Sequence, residues 1–400
     1  MRILMLAPEP FFQPRGTAFS VLHRLNALSK FGHTIDLVTY PLGVDREFPG
    51  VTIHRVMRPP FLRAIKIGPS FAKIPLDFFM FWRAVYMLLT RSYDILHTHE
   101  EAGFMGLVLT HVFRVKHLYD MHSSLPQQLY NFEFTRSRLV VGIFRWLERL
   151  TLHTADAVIT ICPELDRQVA QISPSTWRVM IENVMEEETR ENVSAARADL
   201  IARLGLPATF AARKIVLYTG TFEAYQGLDL LLDSAKILER DRNDAIFLMV
   251  GGKPEQVAAF QARAAALGLS DSIFFTGWRP SEEIPLFTSL ADILASPRTK
   301  GTNTPLKIYS YLRSGKPIVA TRLLTHTQVL NDSVSILAEP EPEKFAGALL
   351  RALDDKTLAA TVAANARRLA AEQYSFESYI EKMDHVCEWL SSGGARPEAA

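Results

Sequence analysis

The sequence predicts an α/β protein made of two doubly wound, parallel-sheet lobes, and three observations lead there. Its 400 residues suit two domains of ordinary size, and 48% hydrophobic with 22% charged content marks a globular chain. Apolar runs of strand length alternate with helical patterns from end to end, as in sheets covered by helices on both faces. The alternation forms two series, separated by a polar, Glu-rich stretch from 183 to about 192.

In the first series, strands are expected near 3–7, 34–39, 51–55, 95–97, 117–120, 157–161 and 177–181. The opening MRILMLAPEP has too short an apolar run before Pro8, Glu9 and Pro10 for a secretory leader, so it reads as a buried strand. Segment 74–89 is interrupted by Asp77 and Arg83 and falls short of the ~20 apolar residues of a membrane span. The second series places strands near 215–218, 246–250, 273–276, 293–295, 318–320 and 334–337. A helix carrying ARADLIARLGLP belongs to either lobe. These patterns divide the chain into a first domain 1–185, a connection 186–212, a second domain 213–374, a final helix about 375–391 packed across the lobes or back onto the first, and a flexible tail 392–400.

A net charge of +1 provides no global field for nucleic acid, so any basic surface is local. Cys162 and Cys387 lack metal-like spacing and fit a reducing, cytoplasmic setting.

Local chemistry is richest in SPRTKGTNTPLKIYSYLRSGKPIVAT, residues 296–321, which reads as a strand end, a cationic hydroxyl-rich loop and a capped helix. Thr304 is expected to cap a helix over 305–314, with Pro305 in its first turn and Gly315 as a left-handed stop. Arg298, Lys300 and Lys307 would add charge to the helix dipole, which together suit a phosphate. An ordinary strand-to-helix connection with solvated cations is the alternative.

Ligands of doubly wound sheets bind beyond the carboxyl ends of the strands, so a central cleft between the lobes is the expected site. There the motifs resemble family-four glycosyltransferases of the GT-B type over nearly the whole chain. The segments that carry the likeness are PRGTAFSVLHRLNALSKFGHTIDLVT, YDILHTHE, LYDMHSSLP, ADAVITICPEL with IENV, VLYTGTFEAYQGLDLLLDSAKIL, FLMVGG and LKIYSYLRSGKPIVAT. The resemblance implies that Gly16 and Thr17 approach the donor, that His122 is the active-site histidine, and that Asn183 precedes the interdomain connection. It implies retention of anomeric configuration, a front-face reaction in which the leaving phosphate helps deprotonate the acceptor, and no metal or other cofactor.

The chain departs from the family pattern at four charged positions. Thr302 and Ser310 stand where members usually carry glutamates, and Thr221 and Gln226 where many carry an arginine and a lysine. The site is therefore either rewired or without catalysis, and the loop favours rewiring. In that reading Arg298, Lys300 and Lys307 replace the missing cations, while Thr302, Asn303, Thr304 and Ser310 hydrogen-bond sugar or ribose hydroxyls beside Gly301, Gly220, Thr221 and Gln226.

His122, at a strand end, is expected to orient a donor-sugar hydroxyl; otherwise it is a satisfied core histidine. In His97-Thr98-His99-Glu100-Glu101, alternate strand residues point to opposite faces, so the two histidines need not converge; no metal site is expected, and His99 and Glu100 are assigned to the acceptor side. Gly251-Gly252 allows close backbone approach, and Lys253 stands available to a nucleotide, though a glycine pair after a strand is a weak signal. Trp278 and Arg279 border a base or pack a turn.

Segment 55–91 combines Arg58, Arg63, Lys66, Lys73 and Arg83 with many aromatics, and Arg136, Arg138, Arg145 and Arg149 follow in the same lobe. This composition suits either peripheral attachment to anionic lipid or two ordinary amphipathic helices. The expected protein is a cytoplasmic, membrane-peripheral glycosyltransferase moving a sugar from a nucleoside-diphosphate sugar to a lipid-linked or glycan acceptor, with cell-envelope or exopolysaccharide synthesis as its setting. A nucleotide-sugar epimerase and a noncatalytic nucleotide-sugar-binding subunit are the rival readings.

Overall fold

The computed structural model describes residues 1–13, 16–60, 62, 65, 70–131, 135, 137–182 and 197–393. Asn183, residues 186–196 of the connection and most of the tail therefore lie outside the described residues, as do Arg63, Lys66 and Arg136.

The chain forms two units, Met1–Asn183 with Glu377–Ala400, and Val184–Phe376. Unit 1 runs β1 (Arg2–Ala7), α1 (Gly16–Lys30), β2 (Thr34–Thr39), β3 (Val51–Arg55), α2 (Lys73–Thr90), β4 (Ile95–His99), α3 (Ala102–Phe113), β5 (Lys116–Met121), α4 (Leu125–Asn131), α5 (Arg138–Thr154), β6 (Ala157–Thr160), α6 (Pro163–Ile172) and β7 (Arg178–Met180). Its strands are parallel in the order β3-β2-β1-β4-β5-β6-β7. The order reverses between β1 and β4, so their carboxyl ends diverge into separate connections and open a crevice there.

Unit 2 runs α7 (Arg197–Arg203), β8 (Lys214–Thr219), α8 (Leu228–Asp241), β9 (Ala245–Val250), α9 (Pro254–Ala266), β10 (Ile273–Gly277), α10 (Ile284–Leu290), β11 (Ile293–Ser296), α11 (Lys307–Ser314), β12 (Ile318–Thr321), α12 (Leu324–Thr327), β13 (Ile336–Ala338), α13 (Pro342–Asp354) and α14 (Lys356–Gln373). Its sheet is also parallel, in the order β10-β9-β8-β11-β12-β13, reversing between β8 and β11.

The strands form where the apolar runs predict because both faces are covered: every residue of β9 is buried, as are five of six in β1 and β8. Fully burying one such side chain contributes roughly 1.5–3 kcal/mol, which outweighs the modest local preferences of individual residues. Helix α7 resolves the ARADLIARLGLP ambiguity in favour of unit 2, since Arg197 donates to Leu290 O at 3.0 Å and Arg213 O at 2.7 Å, and pairs with Asp292 at 3.1 Å. The last helix, α15 (Phe376–Ser391), returns to unit 1. There the Trp389 ring stacks on Trp177 at 4.6 Å, and Lys382 Nζ meets Glu182 Oε2 at 2.6 Å.

One local expectation fails. Helix α11 starts at Lys307 rather than at 305, and no side chain caps it. Pro305 and Leu306 instead form a preceding turn, with Ile308 N–H donating to Pro305 O at 2.9 Å. Thr304 faces inward, and its hydroxyl has no hydrogen-bond partner among the described residues. A proline disfavours helical geometry in the residue before it, and burial then removes the threonine side chain from the helix end. The predicted stop holds: Gly315 is left-handed, with φ 70°.

Candidate functional site

In unit 1, β4 and β5 lie side by side with His99 paired to Asp120, so their carboxyl ends bring four side chains together. His99 Nδ1 is 2.9 Å from His122 Nε2, and the rings are stacked with centroids 5.2 Å apart. His97 lies 4.5 Å from His99, centroid to centroid, and its Nε2 is 3.5 Å from Asp120 Oδ2. Asp120 Oδ1 is 3.5 Å from His122 Nε2. The expectation that the two strand histidines would not converge is thus corrected. Residues two apart on a strand point to the same face, and only Thr98 turns away, to hydrogen-bond His117 at 2.8 Å.

His97, His99 and Asp120 offer ligand atoms within 4.8 Å of one another, a separation a metal ion would tolerate. Asp120 Oδ2, however, already accepts a hydrogen bond from Arg24 Nε at 2.8 Å, and that guanidinium is buried and reaches Ile181 O at 3.2 Å. A dication would have to share its one anionic ligand with a fixed cation, so the cluster suits proton-bearing imidazoles better than a metal. Burial holds all three imidazoles below their usual pKa, that of His122 at about 4, while Arg24 and the histidines keep Asp120 well below the carboxylate range despite its burial. His122 is therefore neutral at pH 7, suited to hydrogen bonding rather than to carrying charge.

Glu100, the residue after His99, sits at φ 49° and is buried. Burial, with Glu101 nearby, pushes its carboxyl up to about 8, and it accepts a hydrogen bond from Ser123 Oγ at 2.9 Å. Glu148 holds the following residues, accepting from Ser124 Oγ at 3.1 Å and Leu125 N–H at 3.0 Å. Two carboxyl groups thus clamp the loop after His122. Gly16 and Thr17 open α1, whose buried side carries Arg24.

Sequence reasoning gave no role to Arg24, Glu148 or Tyr379, whose ring lies 5.2 Å from the Arg24 guanidinium. A signal for Arg24 was present. Val21, Leu25 and Leu28 mark the inward face of α1, and an arginine three residues after Val21 falls on that face.

In unit 2 the carboxyl ends of β8, β9 and β11 gather most of the predicted donor residues. Gly220 has φ 140° and Gly251 φ 126°, and a Cβ on Gly251 would lie 1.9 Å from the Gly220 carbonyl oxygen, so the two turns touch backbone to backbone. Lys307 Nζ donates to Thr219 O at 3.0 Å and sits 3.8 Å from the centre of the Tyr218 ring. A Cβ on Gly220 would lie only 3.5 Å from that ammonium. Among the described residues Lys307 meets no carboxylate, and desolvation, reinforced by Arg298, depresses its pKa well below the usual lysine value.

Arg298 is occupied by its own loop, donating from Nε to Lys300 O at 2.9 Å and from Nη1 to Asn303 O at 3.1 Å. Its guanidinium packs where a Cβ on Gly301 would come within 2.7 Å, so glycine there lets the loop close around it. Thr302 O accepts from Gln328 at 2.5 Å, and Asn303 O from Thr325 Oγ1 at 2.7 Å. These bonds leave Lys300 exposed and Lys307 as the cation directed at the Gly220 turn. Ser310 Oγ donates back to Lys307 O at 2.8 Å, while Gln226 Nε2 reaches Thr221 Oγ1 at 3.5 Å. Lys253 stands apart and exposed as the residue that caps α9.

Two parallel doubly wound sheets in one chain, each with chemistry collected at its strand carboxyl ends, are the architecture of GT-B glycosyltransferases. Residues 15–183 match the glycosyl transferase 4-like domain, and residues 208–369 match glycosyl transferases group 1. The chain belongs to the family-four glycosyltransferases of GT-B type. It is 25% identical over 287 residues to the alpha-D-kanosaminyltransferase of Streptomyces kanamyceticus, covering 69% of this chain and 71% of the relative. It is 23% identical over 406 residues to the phosphatidyl-myo-inositol mannosyltransferase of Mycobacterium leprae, covering 100% of both. Among solved structures it is similar to sucrose-phosphate synthase from Thermosynechococcus elongatus, with TM-score 0.78, 20% identity and coverage of 98% and 99%. It is also similar to Anabaena HepE in complex with UDP-glucose, with TM-score 0.73, 16% identity and coverage of 97% and 99%.

Proposed function

We propose that this glycosyltransferase moves a hexose from a nucleoside-diphosphate sugar to a lipid-linked or glycan acceptor, with retention of configuration and without a metal. The observation that carries the reading is Lys307. Its ammonium is held beside the Gly220 turn by one backbone carbonyl and one ring, with no carboxylate beside it among the described residues. A diphosphate there would supply the missing charge, and the ammonium would stabilise it as the leaving group, a role a metal fills elsewhere. The solved complex of HepE with UDP-glucose supports this donor class.

Unit 1 supplies the other half of the reaction. His122, neutral and fixed by His99, would orient a sugar hydroxyl, and His99 and Glu100 would face the acceptor. Glu100 is protonated at neutral pH, so it would act as a hydrogen-bond donor rather than as a base. The name of the mycobacterial relative supports a lipid-linked acceptor, and we place the reaction at the inner face of a membrane. The cell-envelope setting is part of the same proposal.

A thermal-shift screen of nucleoside-diphosphate sugars, followed by hydrolysis and transfer assays in chelator, tests the whole reading. One donor should raise the melting temperature and be turned over with EDTA present. Activity lost in EDTA and restored by a divalent ion would refute metal independence, epimerised donor without acceptor would point to an epimerase, and binding without turnover would leave a noncatalytic subunit.

A further inference from the structure

Unit 1 carries a surface that the transfer reaction does not explain. Helix α3 packs between α2 and α5, making one three-helix layer, with the rings of Phe104 and Phe144 meeting at 5.8 Å. The inward side of α2 is ordinary core, with Leu76, Met80, Ala84 and Met87 almost wholly buried. Its outward side is equally apolar: Ile74, Phe78, Trp82 and Tyr86 recur every fourth residue, and Trp82 is 54% exposed. A helix hydrophobic all round is normally buried in protein or lipid. Val108 and Val112 of α3 are also exposed, as are Leu139, Ile143 and Trp146 of α5.

Charge on this layer has one sign at its surface. Arg83, Arg138, Arg145 and Arg149 are exposed. The three helices contain two carboxylates, Asp77 and Glu148, and both turn inward, one to Tyr40 at 2.6 Å and the other to Ser124 and Leu125. Exposed aromatics interspersed with arginines that form no ion pair among the described residues match the interfacial zone of an anionic bilayer, where apolar rings enter the acyl boundary and guanidinium groups meet lipid phosphates. No helix among the described residues is long and apolar enough to cross a membrane, so the contact would be peripheral.

We infer that the outward face of α2, α3 and α5 docks unit 1 on an anionic lipid bilayer. The inference rests on the lipid-linked acceptor proposed above and gives it a location. Helix α3 begins at Ala102, two residues after Glu100, and Lys73 at the start of α2 pairs with the intervening Glu101 at 2.7 Å. Helices α2 and α3 therefore start beside the strand end that holds His99 and Glu100, so an acceptor head group at the bilayer surface would be presented on the acceptor side.

The test is flotation of the full chain with vesicles of phosphatidylcholine alone or mixed with phosphatidylglycerol, alongside tryptophan emission. Binding is expected only with phosphatidylglycerol, with a blue shift from Trp82 and Trp146, and high salt should weaken it. At about 1 kcal/mol per basic residue near an anionic surface, Arg145→Gln with Arg149→Gln should lower partitioning roughly 30-fold. Phe78→Ser with Trp82→Ser should lower partitioning as well and shrink the blue shift at Trp146. Nucleotide-induced thermal shift should persist in both variants, since neither touches unit 2. Absence of wild-type flotation, partitioning unchanged in both variants, or a lipid-free dimer dissolved by the Phe78 and Trp82 substitutions would each overturn the inference. Retained donor turnover in such a case would leave the transferase reading standing, whereas flotation without any donor turnover would refute only that reading.

Discussion

Replacing Lys307 with methionine should separate binding from stability in a way that few substitutions do. The folded chain holds this ammonium away from most water, with a carbonyl at 3.0 Å and a ring at 3.8 Å as its compensation. A hydrogen bond to a charged group is worth about 1.5–3 kcal/mol, and a desolvated cation over a ring about 2 kcal/mol, while the effective desolvation cost is several kcal/mol per ion. The depressed pKa shows that desolvation prevails. Lys307→Met keeps the stem and removes the charge, so the unliganded protein should melt at the wild-type temperature or above it. A diphosphate would lose one charge-assisted bond, which predicts UDP affinity roughly 10- to 150-fold weaker and turnover about 100- to 1,000-fold slower.

The pH dependence provides a second readout of the same substitution. A lysine whose folded pKa lies below its ordinary value of 10.5 binds more protons in the unfolded chain. Stability should therefore rise as pH climbs from the folded pKa to the unfolded one, and this rise should be missing in the variant. Diphosphate binding should raise that depressed pKa again, so at a pH between the free and bound values proton uptake should make the calorimetric binding heat depend on the buffer's ionisation enthalpy more in wild type than in the variant. A Lys307→Met protein that melts several degrees lower and binds UDP as tightly as wild type would show Lys307 to be structural and refute the reasoning.

Three further outcomes are expected. His122→Ala should lower turnover about 100-fold while costing only about 1 kcal/mol of stability for the bond lost by His99, as compared by steady-state assay and urea titration; unchanged turnover would remove His122 from the site. Arg24→Met should destabilise unit 1 by roughly 3–5 kcal/mol because it leaves Asp120 buried and uncompensated, and Asp120→Asn in the same background should recover part of that loss in denaturant melts. Burial raises the folded pKa of Glu100 to about 8 from an ordinary 4.5, so the native chain holds the extra proton across that window and stability should fall as pH rises through it. Glu100→Gln should flatten that fall, and an identical slope in wild type and variant would show that another group causes it.

Most of the fold was legible because strands and helices announce themselves locally. Apolar runs such as 3–7 and 246–250 predict buried strands whatever they pair with, and Gly315 predicts a helix stop because only glycine adopts its φ without strain. The glycosyltransferase motifs were legible for the same reason, each being a short strand, turn and helix. Local rules misled where a longer-range competitor acted. Thr304 has the residue type of a helix cap, but its neighbour Pro305 and its burial turn it elsewhere. His97 and His99 were misjudged through the strand period itself, which places them on one face.

What the sequence by itself determined, then, is the two parallel-sheet units, the family, and the neighbourhoods in which chemistry collects. Only the tertiary structure decided which side chains meet. Arg24 reaches Asp120 across 96 residues, Lys307 reaches Thr219 across 88, and α15 returns to place Tyr379 against Arg24. The physical reason is that periodicity reports which face of an element is buried, whereas the partner on that face depends on strand order. That order is set by packing of the whole sheet, which no local segment contains.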